Sequence, residues 1–151
     1  MKEYIITMTG TITYEDDDDN EVIGLTTIAE YNYSTAQTTL TYKEYPDGDL
    51  VDKKSDDYII NTITIHSEDK VTLTKSAKDG VTSILQLEKD IRHSCVYNTP
   101  FGSFEMGIFT TSLVIDANEN ECKISAVYTT DLDNENIRHH HLEISLKEKA
   151  E

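Results

Sequence analysis

Basic residues are scarce in this chain, tryptophan is absent, and cysteine and proline occur twice each in 151 residues. Thirteen Lys and Arg against 29 Asp and Glu leave a formal net charge of -16. With no basic stripe to offset that charge, Coulomb repulsion argues against nucleic acid and against an anionic membrane surface as partners. Long apolar runs are also missing. The start, Met1-Lys2-Glu3-Tyr4, meets an acid at once, so it reads neither as a signal peptide nor as a membrane span. Cys95 and Cys122 alone do not make the disulfide framework of a small secreted domain, and the expected compartment is the cytoplasm, with both thiols reduced.

What the chain has instead is about twenty threonines and nine tyrosines, residues at home on a half-buried pleated surface, beside a hydrophobic fraction of 37%. Their spacing has a period of two. Tyr4, Ile6, Met8, Ile12 and Tyr14 share one parity, and Thr7, Thr9, Thr11 and Thr13 take the other. The same alternation returns around Ile23 to Tyr33, Leu40 and Tyr42, Ile59 to Ile65, Val71 and Leu73, Thr82 to Glu88, Arg92 to Asn98, Phe104 to Ile115, Ile124 to Leu132 and Leu142 to Leu146. No helical stripe of useful length competes. The pattern predicts an all-β fold: one antiparallel up-and-down barrel of about eight to ten strands, occupying residues 1–151 as one domain without linker or repeat.

Turn formers punctuate the strands, among them Pro46-Asp47-Gly48-Asp49, Asp79-Gly80 and Pro100-Phe101-Gly102. If successive strands alternate in direction, one end collects Glu15 to Glu21, Pro46 to Asp57, Ser76 to Val81, Thr99 to Gly102 and Asp133 to Asn136. The other end receives only tight connections. That arrangement predicts an acidic, long-loop mouth over a short-turn base. It also separates Cys95 from Cys122 by roughly ten strand residues, on the order of 30 Å, which excludes a disulfide between them.

Four segments carry a family resemblance: Leu40-Thr41-Tyr42-Lys43-Glu44, the pair Ile63-Thr64-Ile65 and Val71-Thr72-Leu73, the turn Tyr97-Asn98-Thr99-Pro100-Phe101-Gly102, and the Tyr128 strand followed by His140 to Leu146. Together they resemble the YwiB-like family, small bacterial proteins of unknown function with a calycin-type, lipocalin-like barrel. The match covers nearly the whole chain, and the turn is its most specific element. Lys75 and Ala77 stand where the family often has Arg and Gly. The resemblance implies the barrel and transfers no catalytic residue.

Candidate chemistry is sparse. The acids Glu15 to Asp19, with Asp47, Asp49, Asp52, Asp131, Asp133 and Glu135, offer hard oxygen ligands without EF-hand spacing and read as solvated loops. In His139-His140-His141 only the outer two share a face, which does not make a metal site. Nucleophile elbows, phosphate-cradling loops and cofactor motifs are absent, so no catalytic residue, metal or cofactor is assigned. The informative polar groups are those in phase with the interior. Glu44 continues the parity of Leu40 and Tyr42, and Arg138 and His140 continue that of Leu142 and Ile144. A desolvated charge needs a partner, so Glu44 is expected to meet Arg138 or His140 at the mouth.

Three functions compete on this reading. The first is a barrel that binds a small, partly apolar molecule through Tyr42, Glu44, Tyr128, Arg138 and His140, with Thr99, Pro100, Phe101 and Gly102 as a structural turn. The second is an interaction or structural protein with a side-chain-filled barrel and a working acidic surface. The third is a hydrolase or isomerase that uses Glu44 and His140 for proton transfer. An interior void favours the first and a packed interior the second. A Glu44–His140 contact in a cleft favours the third.

Overall fold

A computed structural model describes residues 3–14, 20–45, 58–77, 80–99, 102–132 and 135–149, with the backbone alone at 81–82 and 97–99. The alternating segments form ten strands. They are β1 (Tyr4–Tyr14), β2 (Asn20–Asn32), β3 (Thr38–Glu44), β4 (Ile59–Ser67), β5 (Lys70–Ala77), β6 (Gly80–Glu88), β7 (Arg92–Thr99), β8 (Gly102–Ala117), β9 (Glu121–Leu132) and β10 (Glu135–Glu148). Among the described residues no helix is long and apolar enough to cross a membrane, a statement that leaves strands aside.

The strands lie in one antiparallel sheet of order β6-β5-β4-β3-β2-β1-β10-β9-β8-β7. The first and last strands in sequence are therefore neighbours, with Tyr4 opposite Glu148 and Met8 opposite Ile144. The sheet curls until β6 approaches β7 and β8, and the barrel is nearly closed. At that seam Lys89 and Thr110 form an isolated parallel bridge, and the Asp90 amide donates to the Thr110 carbonyl at 2.8 Å. His93 Nε2 meets Glu88 Oε1 across the same seam at 2.8 Å. A bulge between Thr110 and Ser112 on β8 adds local twist where the sheet must bend to close.

The odd-numbered strands run from the base to the mouth. The mouth connections differ in length from the expectation. Ala77 pairs with Gly80 and Thr99 with Gly102, so the segments Ser76 to Val81 and Thr99 to Gly102 belong largely to strands. Glu135 and Asn136 are likewise in β10 rather than in a loop. The reason is local. Gly80 (φ 128°), Gly102 (φ 133°) and Asn136 (φ 54°), at or next to the starts of their strands, adopt a positive φ that glycine and asparagine reach at small cost. Pro100 and Phe101 lie outside the described residues. The acidic segments 15–19 and 46–57 and residues Asp133 and Asn134 do as well.

Inside, the base is solid. Ile6, Leu40, Val71, Leu87, Cys122, Ile124, Ile144 and Leu146 are almost fully buried and form one cluster with Tyr4, Ile63 and Ile108. Each such side chain contributes about 1.5–3 kcal/mol by leaving water. Cys122 belongs to this base, opposite Ala117, whereas Cys95 faces Met106 on another hairpin. Both thiols are free, as their separation requires. Burial raises the Cys95 thiol and pushes Cys122 up to about 12, so both stay protonated and unreactive at neutral pH.

Two stability predictions follow from this packing. Ile144→Ala empties a closed site between Met8 and Ile124 and should cost about 2–5 kcal/mol in urea unfolding. A loss below half that range would show that the base is loosely packed. Gly102→Val meets no neighbouring atom but must hold a positive φ, and should cost about 1–3 kcal/mol. An unshifted urea midpoint would show that the turn tolerates another backbone conformation.

Candidate functional site

Above the packed base the interior opens into a cavity of about 730 Å³. Its inner wall comes from alternate residues of successive strands, apolar at Met8, Leu25, Ile63, Leu73, Leu85 and Leu142. Gly10 lies on the same face, opposite Ile23 and Leu142, and a side chain there would find nothing within 4 Å of its Cβ. Between β2 and β3 the ladder runs only from Ala29 to Asn32. Among the described residues Asn20–Ile28 therefore have no ladder partner on the β3 side, and Ile23, Leu25, Thr26, Lys43 and Glu44 line the cavity along both borders of that gap.

Polar groups interrupt the wall in two places. On one side Tyr42, Asn61 and Lys75 stand in a single ladder row across β3, β4 and β5. Glu44 ends β3 beside them. One of its oxygens, Oε2, accepts from Asn61 Nδ2 at 3.1 Å and from Lys75 Nζ at 3.4 Å. Asn61 is buried, and Glu44 satisfies its amide. The Tyr42 hydroxyl reaches Met8 Sδ at 3.1 Å, and burial, with a smaller contribution from the Glu44 charge, pushes it up to about 12.

On the other side His140 stacks face to face on Tyr128, with ring centroids 4.6 Å apart and planes 2° from parallel. Its Nε2 hydrogen-bonds Thr130 Oγ1 at 2.9 Å. Burial, reinforced by the charges of Arg138 and His139, lowers the imidazole from 6.5 to about 4, so it is neutral at physiological pH. Burial also raises the Tyr128 hydroxyl to about 12.

Tyr42, Glu44, Tyr128 and His140 thus line one cavity, from opposite sides. Arg138 is not part of that lining. Its guanidinium sits over the Tyr14 ring, 5.2 Å from the centroid, two pairs nearer the rim than His140. The expected meeting of Glu44 with Arg138 or His140 does not occur. Strand β10 lies three steps from β3 in the sheet, whereas Asn61 is on the adjacent strand and Lys75 on the next, and these two take the carboxylate. With no hydrogen bond between Glu44 and His140, the proton-transfer pair is not assembled.

Asn61 and Lys75 escaped the sequence reading although their signal was present. Asn61 is in phase with Ile59, Ile63 and Ile65, and Lys75 with Val71 and Leu73. Of the outer histidines, His141 bonds Glu143, with Nε2 2.7 Å from Oε1. Asp131 is held in a two-bond pair with Arg92, both bonds 2.9 Å, across Gly107 on β8.

A family model described as Domain of unknown function (DUF1934) matches residues 6–144. Among solved structures, the crystal structure of ywiB protein from Bacillus subtilis is similar over 99% of this chain and 93% of that one, with a TM-score of 0.76 and 21% identity. That likeness shows a shared fold. No curated protein matches the sequence.

The neutral imidazole has a measurable consequence. The unfolded imidazole protonates near 6.5 and the folded one near about 4, so below 6.5 protons favour the unfolded chain. His140 leaves stability untouched above pH 6.5 and withdraws it progressively as pH falls toward 4. Substituting His140→Gln should therefore flatten the fall in urea midpoint over that window relative to wild type. Parallel curves for the two proteins would contradict a buried neutral His140.

Proposed function

Since the chain belongs to the family described as Domain of unknown function (DUF1934), whose description assigns no activity, we propose from the cavity that the protein binds a small, partly apolar molecule. One observation carries the reading: the barrel is solid at its base and hollow at its mouth. A volume of about 730 Å³ falls within the ~300–1,000 Å³ usual for small-molecule sites. The wall has the composition such sites use, mostly apolar with a few convergent polar groups at Glu44, Asn61, Lys75 and His140. Tyr42 and Tyr128 supply flat apolar area, and Arg138 stands at the rim. A barrel filled by its own side chains, the rival reading, does not account for an unfilled mouth. The two unpaired thiols suit a reducing compartment such as the cytoplasm.

Gly10 offers a direct test, because a side chain there projects into the cavity from a strand that gains from losing its glycine. Gly10→Phe should leave the fold as stable as wild type or stabilise it by up to ~1 kcal/mol. Native mass spectrometry of both proteins, purified from the source organism, should find a small molecule on the wild type and none on the variant. A ligand retained by Gly10→Phe, or absent from both, would contradict the proposal.

A further inference from the structure

We infer that the ligand is an organic cation, a protonated amine on an apolar body, with the ammonium at Glu44 and the body against Leu25, Leu73 and Leu85. The inference rests on reading the cavity as a binding site and adds the charge of its occupant.

Glu44 is the first reason. Both of its protein partners bind Oε2, and among the described residues Oε1 has none, on a carboxylate side chain 37% exposed at the cavity. Lys75, its counter-ion, sits at 3.4 Å with a side chain 49% exposed. An ion pair so open to water contributes little, and an incoming ammonium displaces it at small cost. An anionic ligand would instead have to lie beside this carboxylate.

A second reason is that aromatic faces at this end of the barrel already hold cations. The Lys43 ammonium stands 4.6 Å above the Tyr58 ring, and Arg138 lies over Tyr14. The cavity wall presents further rings at Tyr42, Tyr45 and Tyr128. On the far wall the His140 imidazole is neutral and sets no positive charge against a cation.

The third reason is the charge of the chain. The connection from β1 to β2 contains Glu15 and Asp16 to Asp19 with no base, and that from β3 to β4 contains five aspartates against Lys53 and Lys54. The negative potential of a chain with net charge -16 concentrates cations and repels anions.

Naphthylmethylamine, naphthalenemethanol and naphthoate share one apolar body and differ in charge, so calorimetric titration of each at pH 7 separates the two claims. The amine should bind about threefold or more tightly than the alcohol, and the naphthoate most weakly. Lys75→Met should strengthen amine binding by removing the internal competitor, and Glu44→Gln should bring the amine down to the alcohol. Circular dichroism of each variant checks that the sheet is intact. Equal affinity for amine and alcohol, a preference for naphthoate, or an amine preference that survives Glu44→Gln would overturn the cation inference while leaving the cavity reading in place. Saturable binding of none of the three would overturn both.

Discussion

Ten strands wound into one sheet enclose more space than eight, and a barrel of about eight is already just wide enough for its side chains to fill. That surplus of interior governs the rest of the molecule. At the base it is absorbed by branched and long aliphatic residues from six of the ten strands, Ile6, Leu40, Val71, Leu87, Ile124, Ile144 and Leu146. Toward the mouth the inner positions include Gly10, Asn61, Ser83 and charged groups, which do not span the width. The hollow is therefore a consequence of strand number combined with small and polar inner residues in the upper rows.

Polar groups in such an interior have to be satisfied locally, because an unpartnered one costs about 1–3 kcal/mol. Glu44 accepts from both Asn61 and Lys75, and Thr130 holds His140. Thr110 is different. Its hydroxyl is fully buried and has no partner among the described residues. It sits at the β8 bulge, where its carbonyl accepts from Asp90 and draws β6 to the seam. The backbone bond that helps close the barrel and the unpaired hydroxyl thus belong to one residue. Closure at the seam depends on such single contacts rather than on a ladder, with His93 and Glu88 supplying another.

Much of this was legible in the chain because alternation is a local property. Tyr4, Ile6 and Met8 point inward whatever their partners, and the ten strands and their burial follow from that parity alone. Strand starts were less legible. β6, β8 and β10 start earlier than composition suggests, with Gly80, Gly102 and Asn136 at positive φ there. The site was half legible. Parity placed Tyr42, Glu44, Tyr128 and His140 on the inner face, yet it carries no information on lateral separation around the barrel. Glu44 consequently found Asn61 and Lys75 on nearer strands, and Arg138 settled on Tyr14.

The central claim is a barrel that is solid below and hollow above, and leucine methyl groups report on both halves. Leu25, Leu73, Leu85 and Leu142 line the cavity, whereas Leu40, Leu87 and Leu146 are sealed in the base. In methyl-labelled protein, relaxation enhancement by dissolved oxygen measures which of them a small apolar molecule reaches. The account predicts strong enhancement for the first group and weak enhancement for the second. Equally weak enhancement across all seven would mean that the interior is filled from end to end, and the account would be wrong.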